Sequence, residues 1–264
     1  MFQPLYVAAT GLNAFEDEMT DITNNLANAR TVGFKKGRTE KESTFYVDKS
    51  FSDFLKDATV KSTNNNQMEL GTGVRVVSTP KDFTQGSLEK TNNALDLAIQ
   101  GDGFFQLKMQ DGQIAFSRAG SFHADSAGNL VDPNGRLLDP AIVLPEGVSS
   151  VLIRQDGTVL ASINNSSELN EVGQLTLAKF TNPAGLKSVG QNLYMQTPAS
   201  GEPMIGQANQ EGFGSVNQFS LEQSNVDVIS EMMRMVMIQR VFDTVTKAVQ
   251  SYDGMLTSVG RIKG

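Results

Sequence analysis

The amino-acid sequence predicts an α+β fold, in which paired N- and C-terminal heptad helices of coiled-coil type flank a central all-β domain, with an extended arm after the first helix. Apolar residues at both ends of the chain alternate at spacings of three and four, which is a heptad seam. Between the ends, short apolar runs are separated by turn signals that are typical of β-structure. The segments are 1–33 for the first helix, 34–70 for the arm, 71–199 for the β domain, 200–223 for a return connection and 224–264 for the last helix.

The first helix is predicted to run from about Leu5 to Ala29. Its seam comprises the apolar positions Leu5, Ala8, Leu12, Phe15, Met19, Ile22, Leu26 and Ala29. Pro4 suits the first turn, where a missing amide costs nothing, and Gly33 is placed to cap the end of the helix in the left-handed conformation. The polar side carries Glu16, Asp17, Glu18 and Asp21. This acidic side is interpreted either as a solvated face or as a contact between subunits.

The arm at 34–70 shows no single hydrophobic period, and residues 62–67 form a polar, Asn-rich run. This pattern predicts an extended segment with one short helical turn. Because a long irregular segment is unusual inside a compact domain, we expect the arm to lie against a neighbouring molecule.

The β domain is predicted from alternating apolar residues that meet at turn dipeptides. Asp111-Gly112 separates two such runs and predicts a hairpin, and further turns are predicted at 132–135 and 156–157. Residues 172–180 are interpreted as one further strand. The stretch at 197–214 is rich in Gly, Pro and Gln, which favours an irregular path out of the domain.

The last helix is predicted to start at a capping box formed by Ser224 and Asp227. Its seam comprises Met235, Ile238, Phe242, Val245, Val249, Tyr252, Leu256 and Val259. Methionines at 232, 233, 235 and 237 fall on several faces and pack adaptably, so this helix can meet more than one kind of neighbour. Arg234, Arg240 and Lys247 complement the acidic first helix, which favours pairing of the two.

Nothing in the sequence indicates an active site, a cofactor or a metal. His123 is the only histidine and the chain has no cysteine, which argues against zinc sites and a Ser-His-Asp triad. The net charge of −7 argues against nucleic acid and anionic membrane surfaces as partners, and no apolar run is long enough to span a membrane. Asp96 and Asp102 are the pair of carboxylates considered as catalytic residues of a glycosidase. An enzyme that acts on cell-wall glycan is therefore the alternative from another functional class.

Motifs at both ends resemble the bacterial flagellar rod and hook protein family. They are carried by the positions Asn25, Asn28, Thr31, Gly33, Phe34, Ser224, Asn225, Asp227, Gln239 and Arg240. Within this family, Gly71-Thr72-Gly73-Val74-Arg75, Thr84-Gln85-Gly86 and Gly103-Phe104-Phe105 are most similar to distal-rod members. A proximal rod or hook subunit is the nearer alternative. The resemblance extends over essentially the whole chain.

The resemblance implies a non-enzymatic subunit of the distal rod that self-assembles into a rigid hollow helical tube, transmits torque from motor to hook and forms part of the export channel. The partners it implies are further copies of the chain, proximal rod proteins below, hook or junction proteins above, the flagellar type III export apparatus and the surrounding ring proteins. The location it implies is the periplasmic part of the basal body. Export by the type III route would explain the absence of a secretory signal at 1–20.

Overall fold

The computed structural model describes residues 3–50, 67–163 and 169–262. These residues form two compact units, each assembled from separate stretches of chain. Unit 1 contains Met1–Asn24, Gly37–Pro80 and Val228–Gly264, and unit 2 contains Asn25–Lys36 and Lys81–Asp227.

A long helix lies at each end of the chain, as the heptad patterns predicted. Helix α1 spans Gln3–Ala27 with Pro4 in its first turn, and helix α2 spans Val228–Ile262. The α+β class and the terminal position of the helices are confirmed. Both helices end or begin at positions that differ from the prediction.

The predicted caps are in part wrong. Helix α1 ends at Ala27, so Ala29 lies outside it, and Gly33 does not cap it although its φ of 68° is left-handed. Helix α2 begins four residues after Ser224, whose hydroxyl accepts the Val226 amide at 3.3 Å, and only Asp227 occupies the N-cap position. The physical reason is that the chain just before residue 224 is paired as a strand and stays extended.

Unit 1 also contains two pairs of antiparallel strands, of which the first three strands begin in the predicted arm at 34–70 and the fourth lies at the start of the predicted β domain. The strands are β1 (Glu40–Ser43), β2 (Tyr46–Ser50), β3 (Gln67–Gly71) and β4 (Val74–Ser78). Strand β1 pairs with β4 and β2 with β3, so backbone hydrogen bonds rather than a hydrophobic period define this segment. Residues 51–66, which complete the predicted arm, lie outside the described residues.

Contacts with α1 fix the position of this strand pair within unit 1. The Lys41 ammonium pairs with Glu18 and lies 4.6 Å from the centre of the Phe15 ring. The Thr10 hydroxyl oxygen accepts the Val74 amide at 3.3 Å. Gly73, with a φ of 114°, approaches so closely that a Cβ there would lie 2.2 Å from the Thr10 hydroxyl oxygen. Only glycine meets both conditions.

Unit 2 is built from short strands and one 3₁₀ turn at Pro183–Gly185. The strands are β5 (Leu88–Lys90), β6 (Leu97–Gln100), β7 (Phe105–Lys108), β8 (Ile114–Ser117), β9 (His123–Ala124), β10 (Leu130–Val131), β11 (Leu137–Asp139), β12 (Val148–Ile153), β13 (Thr158–Ile163), β14 (Asn170–Gln174), β15 (Thr176–Lys179), β16 (Lys187–Gly190), β17 (Leu193–Met195), β18 (Met204–Gln207), β19 (Ser215–Gln218) and β20 (Ser220–Glu222). A seven-stranded antiparallel sheet has the order β16-β17-β8-β7-β11-β10-β9. Strands β12-β13-β14 form a second sheet, and β15-β18, β19-β6 and β20-β5 form pairs.

The hairpin predicted at Asp111-Gly112 and the turns predicted at 132–135 and 156–157 are confirmed, and all three join antiparallel strands. Asp111-Gly112 connects β7 to β8, the turn at 132–135 connects β10 to β11, and Asp156-Gly157 connects β12 to β13. In contrast, residues 172–180 contain parts of two strands, β14 and β15, instead of one.

The return connection at 200–223 is not irregular. It contributes β18, β19 and β20, and β19 supplies the neighbour of β6, whose first three residues are fully buried. Unit 2 accordingly covers Lys81–Asp227, whereas the β domain was predicted at 71–199. The Gly- and Gln-rich composition hid these strands because it lacks the alternation that marks most others.

Two apolar clusters form the core of unit 2. The larger one includes Leu97, Ile99, Phe105, Leu107, Phe122, Leu130, Leu138, Leu175, Leu177 and Val216. The smaller one is mainly aromatic and is built around Phe104, Phe116, Phe180 and Tyr194. The rings of Phe116 and Phe180 meet edge to face with centroids 4.8 Å apart, which is a favourable geometry for aromatic pairs.

Candidate assembly surfaces and the junction of the chain ends

The predicted seam of α1 lies on a partly covered side of the helix. Ile22 is buried with 1% of its surface exposed. The other seam residues are half-buried: Leu5, Ala8, Leu12, Phe15, Met19, Leu26 and Ala29. Ala14 is also buried although it lies outside the predicted seam. This side of α1 therefore combines apolar character with partial burial.

The seam of α2 is covered to a lesser extent. Ile238 is buried, while Met235, Val245, Val249, Tyr252 and Leu256 are half-buried. Phe242 keeps 41% of its surface exposed, and the side chain of Val259 lies outside the described residues. The seam therefore leaves apolar surface available for further contacts.

An ion-pair network joins the two helices at one point. The Glu18 carboxylate accepts a hydrogen bond from the Arg234 guanidinium at 3.0 Å and also forms an ion pair with Lys41. The Arg234 guanidinium in turn lies 3.5 Å from the carboxylate of Glu231. Burial opposes ionisation of Glu18, but hydrogen bonds and the charges of Lys41 and Arg234 outweigh it and hold its pKa below the ordinary value. The expected attraction between an acidic α1 and a basic α2 exists at this pair.

The opposite side of α2 is apolar and exposed. We call it the methionine face, and it comprises Ile229, Met232, Met233, Val236, Met237 and Val241. Together with Arg240, these residues line a shallow groove along the first part of the helix. Met235, in contrast, points to the seam side. Of the four methionines predicted to lie on several faces of the helix, three are exposed and one is half-buried.

In unit 2, the motif residues from the two ends of the chain meet. The Gly33 amide donates to the carbonyl oxygen of Glu222 at 2.8 Å. A Cβ at Gly33 would lie 2.4 Å from the Ala119 nitrogen, so the left-handed backbone is also tightly enclosed. The Asn192 side chain donates to the carbonyl oxygen of Val32 at 2.9 Å. These contacts bind the Thr31–Lys36 stretch into the β unit.

A buried charge cluster lies at this junction. Lys35 and Glu222 are both fully buried, and Lys35 Nζ donates to Glu222 Oε1 at 2.6 Å and to the Thr84 carbonyl oxygen at 2.7 Å. Glu222 Oε1 also accepts the Gly86 amide at 3.0 Å, and its other oxygen lies 3.6 Å from Arg118 Nη1. One carboxylate therefore serves two buried cations.

The electrostatics of the cluster follow from its burial. Desolvation lowers the pKa of Lys35, and the nearby Glu222 only partly offsets this effect. The pKa of Arg118 is lowered by burial as well, and this guanidinium lies 5.1 Å from the centre of the Phe104 ring. Burial raises the pKa of the Tyr194 hydroxyl far above its ordinary value, so that group stays neutral.

Asn225 forms the second contact between the chain ends. Its side-chain oxygen accepts the Lys36 amide at 2.9 Å. Its side-chain nitrogen donates to the Asp82 carbonyl oxygen at 2.8 Å and lies within reach of the Thr84 carbonyl and hydroxyl oxygens. The carboxamide thus bonds at both ends, which explains why an Asn is used here.

The remaining motif residues divide between the two units. In unit 2, Asn25 is buried, Thr31 donates to Asn28 at 3.2 Å, and the Phe34 ring is buried with Lys81 5.1 Å from its centre. In unit 1, Gln239 and Arg240 are exposed on α2. The motif therefore marks the junction in unit 2 more than it marks the seams.

Sequence reasoning missed the buried charge cluster. Lys35, which follows Gly33 and Phe34, and Arg118 resemble family positions, but no local pattern indicated their burial or set Glu222 apart. A buried lysine is rare unless it is paired, and the pairing partner is 187 residues away in the chain. Only the fold brings these residues together.

The residues considered for chemistry are occupied in other roles. His123 is exposed on β9, Asp96 accepts from the Asn93 side chain at 2.9 Å, and Asp102 pairs with Lys179 at 3.0 Å. Within residues 3–50, 67–163 and 169–262, no group of three or more His, Cys, Asp or Glu side chains is suited to hold a metal. In the same part of the chain, no helix combines the length and apolar character required to cross a membrane.

Three family models match successive parts of the chain. The model described as "Flagella basal body rod protein" matches residues 5–35, "Flagellar hook protein FlgE/F/G D1 domain" matches residues 98–161, and "Flagellar basal body rod FlgEFG protein C-terminal" matches residues 217–262. The first and last of these contain the helix seams and the junction residues Gly33, Lys35, Glu222 and Asn225.

Curated relatives cover the chain from end to end. The flagellar basal-body rod protein FlgG of Buchnera aphidicola subsp. Schizaphis graminum is 38% identical, over 99% of this chain and 100% of the relative. The proteins of the same name from Borreliella burgdorferi and Bacillus subtilis are 37% and 32% identical, over 100% of this chain and 99% and 100% of their own lengths. Identity at this level over both whole chains shows that this chain belongs to the family of flagellar basal-body rod proteins.

Proposed function

We propose that this chain is a structural subunit of the flagellar distal rod, which assembles with copies of itself into a rigid hollow helical tube. The tube would transmit torque from motor to hook and form part of the export channel. The observation that carries the proposal is the incomplete burial of the apolar helix surfaces in unit 1, on a chain whose full-length relatives are rod proteins. Large exposed apolar surfaces on a soluble chain indicate contacts with other molecules.

The two terminal helices would form the inner tube. Paired as a coiled coil along the two heptad seams, they would bury the half-exposed residues of both seams against each other and against neighbouring copies. The Glu18–Arg234 pair supports this arrangement within one copy. Ordering a helix of this length costs about as much free energy as burial of its seam contributes, so the helices are expected to gain stability on assembly.

Rigidity would come from the braced strand pair of unit 1 and from the junction in unit 2. Strand β1 is held to α1 through Lys41, and Gly73 fits directly against Thr10. These contacts are polar, directional and sterically tight, which limits sliding of the strands along the helix. A subunit of this kind suits a stiff shaft better than a bending hook.

The partners proposed are further copies of the chain, proximal rod proteins below, hook or junction proteins above, the type III export apparatus and surrounding ring proteins. The location proposed is the periplasmic part of the basal body. An enzymatic role receives no support from the two carboxylates considered for it, since Asp96 bonds to Asn93 and Asp102 pairs with Lys179.

The test replaces the native chain by a variant with Phe242→Asp and Val249→Asp and counts rods in isolated basal bodies. We expect loss of the distal rod, while circular dichroism of the purified variant keeps the β-sheet signal of unit 2. Gln250→Asp, at an exposed position of the same helix, is the matched control and is expected to assemble normally. Normal rods from the double variant would refute the role of the seam, and labelling of the chain outside the distal rod would refute the position proposed.

A further inference from the structure

Most of the exposed apolar surface of α2 outside its seam lies at the start of the helix. In the methionine face, Ile229, Met233 and Met237 have 70%, 62% and 66% of their surface exposed. Beyond Val241, the same side of the helix continues mainly with exposed polar residues, namely Asp243, Thr244, Lys247, Gln250 and Ser251, and Met255 is an isolated exposed apolar residue there. The change from apolar to polar along one side indicates that only the first part of this side is covered by a partner.

The methionine face lies opposite to the seam. At 100° per residue, Ile229, Val236 and Arg240 fall within one narrow sector, whereas Ile238 of the seam points the other way. A neighbour on the methionine face therefore does not compete with a helix packed on the seam, as proposed above. It must be an additional molecule or an additional segment.

A single charge lies in the middle of this face. Arg240 lines the groove and is exposed, and among the described residues no acidic side chain forms an ion pair with it. A partner that covers the methionine face also removes water from the Arg240 guanidinium. The partner must therefore supply an anion at this point, because burying an unpaired cation is strongly unfavourable.

The outer face of α1 offers such an anion in a suitable setting. This face comprises the exposed residues Tyr6, Ala9, Asn13, Glu16 and Thr20, which recur at helical spacing on the side away from the seam. Glu16 is its only acidic member, and none of the described residues forms an ion pair with it. Its neighbours Asn13 and Thr20 are small enough to leave room for methionine side chains between them.

We propose that the methionine face of α2 binds the outer face of α1 from a second copy of this chain, with Arg240 paired to Glu16 across the interface. This inference rests on the proposed self-assembly and specifies which helix surfaces meet. Because the two surfaces are different, each copy can bind one neighbour through α1 and another through α2. Such a contact continues from copy to copy and gives a ring or an open helical polymer rather than a two-fold dimer, and the proposed tube corresponds to the open form.

The test is a charge exchange in cells where variants replace the native chain. Arg240→Glu and Glu16→Arg are each expected to cause loss of distal rods in isolated basal bodies, because each places like charges opposite one another. The double variant Arg240→Glu with Glu16→Arg is expected to recover rods. Lys247→Glu is the matched control, since it reverses a cation on the polar continuation of the same side, and it is expected to leave rods intact.

A second measurement reports the contact directly. The chain has no cysteine, so Met237→Cys in one copy and Asn13→Cys or Thr20→Cys in another can be mixed and oxidised in assembled rods. A disulfide between the two variants is expected, and Ser251→Cys in place of Met237→Cys is expected to give none. If rods form but the exchange brings no recovery and no cross-link appears, the surfaces proposed here are wrong while self-assembly stands. If the unaltered chain itself is absent from distal rods, the proposed function fails first.

Discussion

Lys35 and Glu222, which are 187 residues apart in the chain, form a fully buried ion pair with 2.6 Å between Nζ and Oε1. The pair joins the stretch that follows α1 to the strand that precedes α2, and both belong to unit 2. Arg118 Nη1 lies 3.6 Å from the other carboxylate oxygen of Glu222. The cluster therefore contains two cations and one anion, and its members are not equivalent.

Replacement of Glu222 by Gln is expected to be the most destabilising change at the cluster. Glu222→Gln leaves Lys35 and Arg118 buried without an anion, which should lower the free energy of unfolding of unit 2 by about 3–5 kcal/mol. Lys35→Met should lower the free energy of unfolding by less, because Glu222 retains its contacts with Arg118 and with the Gly86 amide. Urea unfolding followed by circular dichroism of the β-sheet signal measures both.

The control for this ranking is Lys179→Met, which breaks the exposed ion pair with Asp102 but keeps the Asp102 charge, and it should change the free energy of unfolding by no more than about 1 kcal/mol. A result in which Lys35→Met is as damaging as Glu222→Gln would show that Arg118 does not stabilise the carboxylate.

Gly33 should tolerate no side chain. Gly33→Ala combines the strain of a left-handed φ with a Cβ only 2.4 Å from the Ala119 nitrogen, and should cost about 3 kcal/mol or more. Gly112→Ala is the matched comparison, because Gly112 has a φ of 82° and no atom within 4 Å of the added Cβ. It should cost only about 1–2 kcal/mol. Equal melting temperatures for the two variants would contradict the enclosed site at Gly33.

Asn225 should be replaceable neither by Ala nor by its isostere Asp. Asn225→Ala removes the partners of the Lys36 amide and the Asp82 carbonyl, and should lower the stability of unit 2 by about 2 kcal/mol. Asn225→Asp should be at least as damaging, because a carboxylate cannot donate to the Asp82 and Thr84 carbonyl oxygens. Chemical denaturation measures both variants against Gln223→Ala, whose side chain makes one exposed bond to Glu89. A stable Asp variant would show that the nitrogen donor is unimportant.

Acid should weaken the tie between α1 and α2. Because the pKa of Glu18 is below its unfolded value of 4.5, the ionised pair stabilises the folded unit fully above about pH 4.5 and is lost as the pH falls through the lowered pKa. Glu18→Gln should therefore lower helix stability by about 0.5–1 kcal/mol at pH 7, and its effect should shrink as the pH falls below 4.5. Thermal unfolding at 222 nm measures this difference.

Asp17→Asn serves as the comparison for this acid effect, since Asp17 is exposed on the same helix and forms no ion pair among the described residues. A loss that is equally large at pH 3 and pH 7 would show that Glu18 acts through packing rather than charge.

The local features of this fold were predictable because the sequence repeats them. The spacing of Ile22 and Ile238 within their seams predicted two helices, and the dipeptides at 111–112 and 156–157 predicted a hairpin and a turn, respectively, between neighbouring strands. Each of these features depends on residues within a few turns or a single hairpin. Propensity and periodicity carry that information directly.

The features that were missed depend on contacts across long stretches of chain. The pairing of β1 with β4 joins segments with no common period, and the strand β19 lacks the alternation that would reveal it. The cap was misassigned to Ser224 because strand pairing extends close to the helix, a tertiary effect that a local motif does not report. The methionine face was visible only as composition until the fold showed which side was covered.

Each of the two units combines residues from distant parts of the chain, so neither unit can be completed early in folding. A chain that emerges N-terminus first, from the ribosome or from an export channel, releases Glu18 and Lys35 long before Arg234 and Glu222. Until the C-terminal residues arrive, Lys35 lacks the anion with which it is buried in the folded unit, and Glu18 of α1 has Lys41 but not Arg234 as a partner. Completion of either unit therefore waits for the last part of the chain, so that a half-threaded molecule stays pliable enough to keep moving through a narrow passage.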